Sequence, residues 1–600
     1  MNRWVIRNGP VMVIMNEQGG IDERRKVEEG VYLFDLRLIS RLKIFPKDFK
    51  MYEVDKELDG NGCRFKRLLS TDGTYKILLD EEWRIVDNAL TITLDFTNET
   101  GEKLDILLDY VIDYNYSDMF DIRARVGHFS LSTSGLEAHL RRKENGVVYE
   151  SRHIRAEVKH NLRSERLELL PHGKLKRTYT LSFSFELQEP NEVIYEFVQP
   201  RHHLREFSME KEGDLGALLK KAVDDIRELF IESFAGTVPV AGLPWFSAVF
   251  GRDSLVFVLE TSRYYPELSR NILTFLSRLQ GSRFDAFREE QPGKILHEAR
   301  LSERCLSGEL PFSRYYGSID STLLYLLAMH EYWKSHGDDM FIKMHISNII
   351  AALNWIEEYG DVDGDGYVEY RRGVLKNQGW KDSDEALMDE EGNPPEGPIA
   401  LAEVQAYFYG ALIGVSEMAG VLGINGQKYL EKARKLKEQF NRDFWMEDEA
   451  FFAVALDGRK NRIDHVTSNP AHGLMTGILD SEKAKLMVRR LMSDDMFTRW
   501  GIRTMSSRMP MYNPFSYHNG SIWPHDNALI IKGLQRYGFY REARKVAIAL
   551  LNAARHFNYH LPELYTGYNG EKPIPYPEAC VPQLWSAGSA FVIFEVLKNS

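Results

Sequence analysis

The sequence predicts two domains of different class, an N-terminal antiparallel β-sandwich followed by an (α/α)6 toroid. Through about residue 205 apolar residues recur at every second position, whereas from about residue 214 they recur with helical spacing. The helical part contains roughly twelve segments, with about 32 residues for each helix and its connection. We therefore assign residues 1–205 to the sandwich and residues 206–600 to the toroid.

Alternating apolar residues predict the strands of the first domain. The pattern is clearest in LTITLDFTNET, KLDILLDYVIDY and RTYTLSFSFELQE, at residues 90–100, 103–114 and 177–189. Such alternation is typical of strands that have one face in a core and the other in water. Asp-Gly, Asn-Gly and Ser-Gly pairs between the runs are turn signals, so the strands are expected to be antiparallel.

Helical spacing predicts paired helices in the second domain. Clear examples are RDSLVFVLETSR at 252–263, SIDSTLLYLLAMHEYWKSHG at 318–337 and QLWSAGSAFVIFEVLKN at 583–599. The helices are too amphipathic to be stable alone and their connections are unequal, which favours helix pairs around a closed ring. Long irregular connections at 281–317, 360–398 and 495–526 are where we expect sites, because loops on a rigid scaffold often carry function.

Charge and cysteine content exclude several functional classes. The net charge is −12, and no long Lys/Arg block interrupts it, so a nucleic acid partner is not expected. Only Cys63, Cys305 and Cys580 occur, without a CxxC pair. Neither a disulfide framework nor a thiolate zinc site is therefore predicted.

The start of the chain gives no targeting signal. MNRWVIRNGPVMVIMNEQGG lacks the apolar core and cleavage site of a signal peptide, and no run of 18 apolar residues occurs. We therefore expect a cytoplasmic protein without a membrane partner. The sequence does not indicate an oligomeric state.

Aromatic residues and acids occur together in the helical half. This combination fits a sugar pocket, in which aromatic faces pack on C–H surfaces while acids, arginine and amides bind hydroxyls. The segments are PWFSAVFGRDS (244–254), QPGKILHEAR (291–300), YYGSIDST (315–322), NQGWKDSDEA (377–386), YHNGSIWPHDNA (517–528) and LPELYTG (561–567).

Cleavage of a glycosidic bond needs one protonated and one ionised carboxyl group. Asp382 is the candidate acid, because neighbouring Trp380 can raise its pKa, although Lys381 opposes this if it points into the pocket. We expect Lys381 to bind substrate or to turn away. Glu563 is the candidate base. Locally, a solvated turn with a helix N-cap remains an alternative for Asp382, and a solvated loop acid for Glu563.

Two further pairs are candidates for substrate binding. Arg252 and Asp253 can form a fork to adjacent sugar hydroxyls, or an ion pair at a helix start. Glu403 and Gln405 lie on different faces of the otherwise apolar helix LAEVQAYFYGAL, and one of them is expected to line the pocket. A structural hydrogen-bonding role is the alternative for both.

No metal site is predicted. DVDGDGYVEYRR begins like a calcium loop at Asp361, Asp363 and Asp365, but its twelfth position is Arg372 where a bidentate Glu is required. A helix-connecting turn is favoured over Ca²⁺, and no cofactor is expected. His297 and Glu298 open like the zinc-binding motif HExxH, but the fifth residue is Leu301 instead of His, which excludes that motif.

Seven ordered motifs resemble the glucosidase module of amylo-α-1,6-glucosidase, or glycogen debranching, proteins. They are PWFSAVFGRDSL, PGKILHEAR, YYGSIDSTLLYLLAMHEY, DGDGYVEY, NQGWKDS, HNGSIWPHDNALI and LPELYTG. These proteins belong to a wider set of (α/α)6-barrel glycoside hydrolases that includes glucoamylase-like and mannosylglycerate hydrolase-like enzymes. Upstream, EEGVYLFDLRLISRLKIF resembles the β-rich N-terminal domain of prokaryotic members, so the resemblance extends over nearly the whole chain.

The resemblance implies roles for individual residues. It implies Asp382 as general acid and Glu563 as general base of an inverting mechanism, with roughly 6.5–9.5 Å between the carboxyl groups. The remaining residues are expected to bind substrate: Trp245, Phe246, Arg252, Asp253, Glu298, Trp380, Lys381, Glu403, Gln405, His518, Asn519 and Trp523.

The predicted function is exo-acting hydrolysis of an α-glucoside. The expected substrate is an oligosaccharide or polysaccharide. Hydrolysis of α-1,6-linked glucose is expected first, and hydrolysis of α-1,4-linked glucose second. The β-rich first domain leaves no room for the TIM-barrel transferase of large debranching enzymes. The alternatives are a hydrolase or phosphorylase of a small glycoside such as trehalose, sucrose or a glycosyl-glycerate, and a polysaccharide-binding protein without catalysis.

Overall fold

The computed structural model describes residues 3–59, 62–71, 73–125, 139–188, 195–196, 213–389 and 392–598. The chain divides into two compact units. Unit 1 comprises Met1–His203, Arg227–Ala248 and Arg300–Ser313, and unit 2 comprises Leu204–Ile226, Val249–Ala299 and Arg314–Ser600. The predicted boundary between residues 205 and 206 lies outside the described residues. Two later segments of the chain belong to unit 1.

Unit 1 consists mainly of strands, as the alternating pattern predicts. Its elements in the first 203 residues are β1 (Arg3–Asn8), β2 (Val11–Asn16), β3 (Ile21–Asp22), β4 (Gly30–Leu33), β5 (Leu36–Pro46), β6 (Lys50–Asp59), β7 (Gly62–Ser70), β8 (Tyr75–Val86), β9 (Ala89–Asn98), β10 (Leu104–Asp118), α1 (Met119–Arg125), β11 (His139–Lys143), β12 (Gly146–Glu150), β13 (Ile154–His160), β14 (Glu165–Leu169), β15 (Lys174–Leu187) and β16 (Tyr195–Glu196).

Two antiparallel sheets form the sandwich. One has the strand order β1-β2-β4-β5-β10-β14, with β3 also paired to β5, and the other has the order β11-β12-β13-β15-β9-β8-β7-β6. Alternate residues from both sheets, among them Val13, Leu38, Phe65, Leu94 and Phe183, form one buried core. The period-two pattern therefore has its expected cause, since every second side chain of a strand faces the core.

Helices dominate the rest of the chain. In chain order the elements are α2 (Asp214–Glu228), β17 (Phe230–Ser233), β18 (Gly236–Pro239), β19 (Val249–Phe250), α3 (Gly251–Thr261), α4 (Pro266–Arg278), β20 (Glu298–Ala299), α5 (Glu303–Leu306), α6 (Ser321–His336), α7 (Asp339–Met344), α8 (Ile346–Trp355), β21 (Ala400–Leu401), α9 (Ala402–Glu417), α10 (Ala419–Leu422), α11 (Gly426–Asp443), β22 (Trp445–Met446), β23 (Phe451–Phe452), β24 (Ala455–Leu456), β25 (Arg462–Ile463), α12 (His472–Thr476), α13 (Ser481–Leu491), β26 (Phe497–Thr498), β27 (Gly501–Ile502), α14 (Pro524–Arg536), α15 (Tyr540–His556) and α16 (Leu584–Leu597).

Six helices of unit 2 form a closed inner ring. Helix α3 packs on α6, α6 on α9, α9 on α12, α12 on α14, α14 on α16, and α16 returns to α3. Outer helices pack against this ring, α4 on α3 and α6, α8 on α6, α11 on α9, and α15 on α14 and α16. This arrangement is the predicted (α/α)6 toroid.

The difference between inner and outer helices is visible in their composition. Every residue of α3 is buried, and α16 is buried along nearly its whole length. Outer helices such as α11 and α15 bury one stripe and expose charged residues on the other. Helices that are apolar on all sides need neighbours on all sides, which the ring supplies. Among the described residues, no helix is both long enough and apolar enough to span a bilayer.

Candidate active site

The N-terminal ends of the inner helices carry polar and aromatic side chains. Arg252 and Asp253 lie in the first turn of α3, and Asp320 directly precedes α6. Comparable positions hold Glu403 on α9, His472 on α12, Trp523, His525 and Asp526 at the start of α14, and Gln583 and Trp585 at the start of α16. Because the N-terminal end of a helix is the positive end of its dipole, these positions favour carboxylates.

Arg252 connects two of the acids. Its Nε donates to Asp320 Oδ2 at 2.6 Å, its Nη1 to Asp382 Oδ2 at 3.2 Å, and its Nη2 to the Gln378 carbonyl at 3.3 Å. Arg252 and Asp320 are buried, while Asp382 is partly exposed. The guanidinium thus fixes the loop that carries the candidate acid against the start of α3.

Asp382 has the environment of a group that retains a proton. Burial raises its pKa above the ordinary value, and the nearby charges of Asp320 and Glu298 add to this, while Arg252 opposes it. Desolvation and like charges both disfavour the ionised carboxylate. The cation that lowers the pKa of Asp382 is Arg252.

Lys381 lies beside Asp382 in sequence but has other partners. Its Nζ donates to the Thr504 carbonyl at 2.7 Å and lies 5.2 Å from the Trp380 ring centroid. Burial lowers the pKa of Lys381 to about 8, against the opposing charges of Asp526 and Glu403. Lys381 and Asp382 are neighbours in sequence but have different partners, because the Lys381 ammonium is bound to a buried backbone carbonyl.

Glu563 is held by two donors. Tyr517 Oη donates to Oε1, and the Cys580 backbone N–H donates to Oε2 at 2.8 Å. The backbone of Glu563 also donates to the Cys580 carbonyl at 3.0 Å. The carboxylate is buried and has a fixed orientation, as a group that must align one water molecule requires.

The loop of Glu563 is fixed to the loop that precedes α14. Ile522 and Tyr565 exchange backbone hydrogen bonds of 2.8 and 3.1 Å. A Cβ on Gly567 would lie 1.7 Å from the Gly520 carbonyl oxygen, so only glycine permits this approach. The glycines of LPELYTG and YHNGSIW therefore have a packing role.

The loop before α14 also holds the loop of Asp382. His518 Nδ1 pairs with Ser383 Oγ at 2.8 Å, and Asn519 Nδ2 donates to the Glu385 carbonyl at 2.7 Å. Burial, together with the charges of Lys381 and Arg252, lowers the pKa of His518 well below its ordinary value, so the ring is neutral. Since Tyr517 contacts Glu563, this segment bridges the two candidate catalytic loops.

Asp253 is the third carboxyl group of the site. Gln583 Nε2 donates to its Oδ2 at 3.0 Å. Burial raises the pKa of Asp253 to about 8, with the charges of Asp382 and Glu563 acting in the same direction and Arg252 against it. Three carboxyl groups are thus close enough to interact electrostatically, and Asp253 retains a proton near neutral pH.

Aromatic rings surround these carboxyl groups. Trp380 lies edge-on to Trp523 with 5.7 Å between centroids, and His518 stacks on Trp523 at 5.1 Å. His525 stacks on Trp585 at 3.7 Å. Flat apolar faces beside carboxylates are the surface that a sugar ring needs.

Several buried polar atoms of this site have no hydrogen-bond partner among the described residues. They are Trp380 Nε1, His518 Nε2, Asn519 Oδ1, both ring nitrogens of His525, Asp320 Oδ1, Gln583 Oε1 and Trp585 Nε1. An unsatisfied buried polar group costs about 1–3 kcal/mol, and native structures contain few of them. Donors and acceptors concentrated at one place fit a ligand rich in hydroxyl groups.

Glu298 also contributes to this site. It is buried in a short antiparallel pair in which Phe250 of β19 faces Glu298 of β20. Its charge is one of those that raise the pKa of Asp382. Its place beside the start of α3 is consistent with the predicted substrate contact.

Some predicted substrate residues belong to unit 1 or have other partners. Trp245 and Phe246 belong to unit 1, where the Trp245 carbonyl accepts from Arg300 and the guanidinium of Arg123 lies over the Phe246 ring at 5.1 Å. Gln405 uses its amide for the backbone of Val368, accepting at 2.9 Å and donating at 2.7 Å. Gln405 therefore holds a loop.

Glu403 and Lys381 belong to a buried polar network behind Trp380. Glu403 Oε1 accepts from Asn469 Nδ2 at 2.9 Å, and burial raises the pKa of Glu403 while the nearby Lys381 lowers it. His472, which pairs with Asp526 at 2.9 Å, stacks on the Trp380 ring with 6.2 Å between centroids. The network supports the indole that forms one wall of the site.

The DVDGDG segment is a compact acidic turn. One ligand atom from each of Asp361, Asp363, Asp365 and Glu369 lies within 4.8 Å of the others, an arrangement that could hold a metal ion. The Lys460 ammonium, however, pairs with Asp363 and Asp365 at 2.8 Å and also with Glu369. These ion pairs place one internal cation among three of the four acids.

Four residues of the site were not singled out from the sequence. Asp320, Tyr517, Gln583 and Trp585 each lie at or just before the start of an inner helix or in the bridging loop. Asp320 and Tyr517 stand inside the quoted segments YYGSIDST and YHNGSIWPHDNA. The sequence feature that could have indicated Asp320 and Gln583 is their position directly before an apolar helix.

Two family models match the chain. Residues 316–592 match the mannosylglycerate hydrolase MGH1-like glycoside hydrolase domain. Residues 6–196 match the N-terminal domain of some glycogen debranching enzymes. No curated protein sequence matches the chain significantly.

Solved structures that are similar to this one include the GH63 mannosylglycerate hydrolase from Thermus thermophilus. The complex of that enzyme with Tris is 15% identical, covers 62% of this chain and 99% of its own, and has a TM-score of 0.49. The complex with glucose is also 15% identical with the same coverage, and its TM-score is 0.47.

Proposed function

We propose that this chain, a glycoside hydrolase, is an exo-acting, inverting α-glucosidase. Residues 316–592 match an MGH1-like catalytic domain, and residues 6–196 match a debranching-type N-terminal domain. The observation that carries the proposal is the set of three interacting carboxyl groups, Asp253, Asp382 and Glu563, at the mouth of the helical ring. Aromatic rings and unpartnered polar atoms surround this set, which suits one sugar ring.

In the proposed mechanism Asp382 is the general acid. Its raised pKa keeps a proton available, and it transfers this proton to the glycosidic oxygen as the bond to the anomeric carbon breaks. The Arg252 guanidinium contacts the same carboxyl group and stabilises the carboxylate that proton transfer leaves behind.

Glu563 is the general base. The Tyr517 hydroxyl and the Cys580 N–H orient its carboxylate. It removes a proton from water as the oxygen attacks the anomeric carbon on the face opposite the departing oxygen. The product has inverted configuration, and a separation of roughly 6.5–9.5 Å between the two carboxyl groups stays a prediction of this mechanism.

We propose Arg252 and Asp253 as the residues that bind hydroxyls of the non-reducing-end sugar. Asp253 with a pKa of about 8 retains a proton in neutral solution, so it can donate as well as accept a hydrogen bond. We also propose that Trp380 and Trp523 line the same pocket. A single sugar read by many contacts is consistent with exo action.

The proposed substrates are α-1,6-linked glucosides, and a second candidate is a glycosyl-glycerate. The first follows from the debranching-type N-terminal domain, and the second from the mannosylglycerate hydrolase description of the catalytic match. Release of glucose from isomaltose, panose and limit dextrin, and of hexose from mannosylglycerate and glucosylglycerate, distinguishes the two.

The test of the roles is substitution of each carboxyl group. Asp382→Asn and Glu563→Gln are each expected to lower kcat by about 10²–10⁴-fold on the substrate that the wild type hydrolyses best. Asp384→Asn and Glu571→Gln, exposed acids of the same two loops, are matched controls with near-wild-type rates. Near-wild-type turnover by either catalytic variant would show that the roles are assigned wrongly.

Two further readouts test the reaction type. Proton NMR during the first minutes of hydrolysis is expected to show the β-anomer of the released sugar, because an α-linkage is inverted. Addition of phosphate is expected to produce no sugar 1-phosphate. A sugar 1-phosphate would indicate a phosphorylase, and saturable binding without turnover of any of these glycosides would indicate a binding protein.

A further inference from the structure

Unit 1 contains a cavity of its own. Its volume is about 390 Å³, within the range of about 300–1,000 Å³ that is usual for small-molecule sites. The lining comes from the turn after β2, from β5, and from β6, β7 and β8 of the other sheet. The cavity thus opens between the two sheets of the sandwich.

Cations outnumber acids in the lining of this cavity. The cations are Arg24, Arg25, Arg41, Lys43 and Arg67, and the acids are Asp22, Glu53 and Glu81. The chain as a whole carries a net charge of −12, so a local excess of positive charge is against its average composition. Such an excess creates a positive potential inside a concave, partly desolvated space.

Three of the cations are paired within the protein. Arg24 donates to both carboxylate oxygens of Asp22, and Arg41 lies 3.6 Å from the same carboxylate. Arg67, which is buried at the inner end of the cavity, pairs with Glu81. These pairs fix the walls and consume two of the three acids.

Lys43 and Arg25 have no acidic partner among the described residues. Arg25 Nη1 donates to the Gln18 amide oxygen at 3.3 Å. Lys43 lies 5.4 Å from the Phe45 ring centroid. Burial lowers the pKa of Lys43, and the charges of Arg25, Arg67 and Arg41 lower it further. The charge of Asp22 opposes this lowering. Lys43 and Arg25, both exposed, are thus the cations of the lining that have no ion-pair partner among the described residues.

We propose that this cavity binds the oxyanion group of a sugar-sized ligand, with Lys43 and Arg25 as the residues that contact the anion. A phosphate or carboxylate between these side chains relieves the repulsion and supplies the charge that the protein lacks there. Ile44 and Met51 provide an apolar wall for the remainder of the ligand. The site is in unit 1, so it is distinct from the carboxyl groups of unit 2.

Calorimetric titration of the full chain tests the proposal. The probes are glucose 6-phosphate, glucuronate, inorganic phosphate and glucose, each at low ionic strength. We expect saturable binding of glucose 6-phosphate, of glucuronate or of both, and weaker binding of glucose. Tighter binding of glucose 6-phosphate would indicate a phosphate site, and tighter binding of glucuronate would indicate a carboxylate site. Binding is expected to weaken with salt, because screening acts on exposed charges.

Variants locate the bound anion. Lys43→Met and Arg25→Gln are each expected to weaken binding by about three- to tenfold, as loss of one charge-assisted contact predicts. Lys47→Met is the matched control, since Lys47 is exposed on the same strand end and does not line the cavity. The hydrolytic activity of all three variants is expected to equal that of the wild type.

Stability of the ligand-free variants separates binding from a structural role. Because Lys43→Met removes repulsion, it is expected to leave the Tm unchanged or raise it, whereas loss of a structural contact lowers it. A lowered Tm would contradict the proposal. The proposal is also overturned if neither anion binds, if the double variant Lys43→Met, Arg25→Gln binds as the wild type does, or if glucose binds equally well. None of these outcomes affects the assignment of Asp382 and Glu563.

Discussion

Unit 2 contains two groups of four acids, and they differ in how their charge is compensated. The acids of the DVDGDG turn are close in sequence and each has a partner. Asp361 accepts backbone N–H groups at 2.7–3.1 Å, and Lys460 pairs with Asp363, Asp365 and Glu369. The turn resembles a binding motif in sequence but its charges are largely neutralised within the protein.

The acids of the candidate active site come from distant parts of the chain and share one cation. Arg252 contacts Asp320 and Asp382, whereas Asp253 and Glu563 receive neutral donors. The pKa values of Asp253, Asp320 and Asp382 are consequently raised by burial. Incomplete compensation favours a retained proton at Asp253 and Asp382. In the turn, burial also raises the pKa of Glu369, but its own ion pair with Lys460 opposes this, so charge balance separates the two groups better than the number of acids does.

The largest effect outside the two catalytic carboxyl groups is expected from Arg252→Met. We expect kcat/KM to fall by about 10²–10³-fold, since the guanidinium is proposed to bind sugar hydroxyls and contacts the acid. Arg252 lowers the pKa of Asp382, so its removal raises that pKa. The acid then stays protonated to higher pH, and the alkaline limb of the pH–rate profile moves upward.

The measurement for Arg252 is the complete pH dependence of kcat/KM. Arg252→Lys, which keeps the charge but loses the fork, is the comparison and is expected to move the alkaline limb less. An alkaline limb that stays in place in the methionine variant would show that Asp382 is not the group that titrates there. Circular dichroism establishes that each variant is folded.

Tyr517→Phe is expected to have the next largest effect. It removes the hydroxyl that donates to Glu563 but keeps the ring packed against Trp523. A hydrogen bond to a charged group contributes about 1.5–3 kcal/mol, so kcat is expected to fall at least about tenfold with little change in KM. Tyr576→Phe, whose ring lies 5.7 Å from that of Tyr517, is the control and is expected to stay within about threefold. Equal rates in the two variants would contradict a role for the hydroxyl.

Lys381→Met tests whether Lys381, the sequence neighbour of Asp382, differs in function from Arg252, which contacts Asp382 in the structure. The substitution leaves the Thr504 carbonyl without its donor and Glu403 without the nearby ammonium, but it also removes a cation whose burial is unfavourable. A loss of about 1–3 kcal/mol in the free energy of unfolding is therefore expected. The alkaline limb of the pH–rate profile is expected to stay in place, in contrast to Arg252→Met. Adding Glu403→Gln is expected to restore part of the stability, because it removes one of the uncompensated charges. A shifted alkaline limb in Lys381→Met would reverse the assignment.

The fold is predictable from the sequence for identifiable reasons, and the sequence also indicates the candidate catalytic pair, whose roles stay a prediction. Period-two and helical patterns reflect one-sided burial, and the structure confirms them as a sandwich and a ring of helices. Asp382 and Glu563 stand beside aromatic residues and prolines in long connections, and the ordered motifs add to this signal. The structure brings both into electrostatic contact with Asp253.

Other features depend on contacts between distant segments and are not visible locally. The direction of the Lys381 side chain is decided by the Thr504 carbonyl, and the bond from Tyr517 to Glu563 by the pairing of two loops. Trp245 stands directly before the sequence of α3 but belongs to unit 1. Sequence proximity thus predicts which loop carries a residue, while the partner of its side chain requires the fold.

The smallest effect on activity, and a clear effect on stability, is expected from Lys460→Met. The ammonium is partly exposed, so loss of its three carboxylate partners is expected to cost about 1–3 kcal/mol of unfolding free energy at pH 7.5. Activity is expected to stay within about twofold, because the turn makes no contact with the catalytic carboxyl groups among the described residues. Arg459→Gln, at the neighbouring exposed position, is expected to change the stability by less than about 0.5 kcal/mol.

The pH dependence of the Lys460→Met variant shows whether charge compensation is the cause. Burial raises the pKa of Glu369 to about 7 although Lys460 lowers it, so removing Lys460 raises that pKa further above its unfolded value. A carboxyl group with a raised folded pKa binds its proton more tightly in the folded state. The stability deficit of the variant is therefore greatest above pH 7 and shrinks as the pH falls toward 5. EDTA or Ca²⁺ is expected to leave the wild-type Tm unchanged, since the ammonium already pairs with three of the four acids. A Tm that rises with Ca²⁺ in the wild type would mean that the acids of the turn are not compensated by Lys460, and the contrast with the catalytic group would fail.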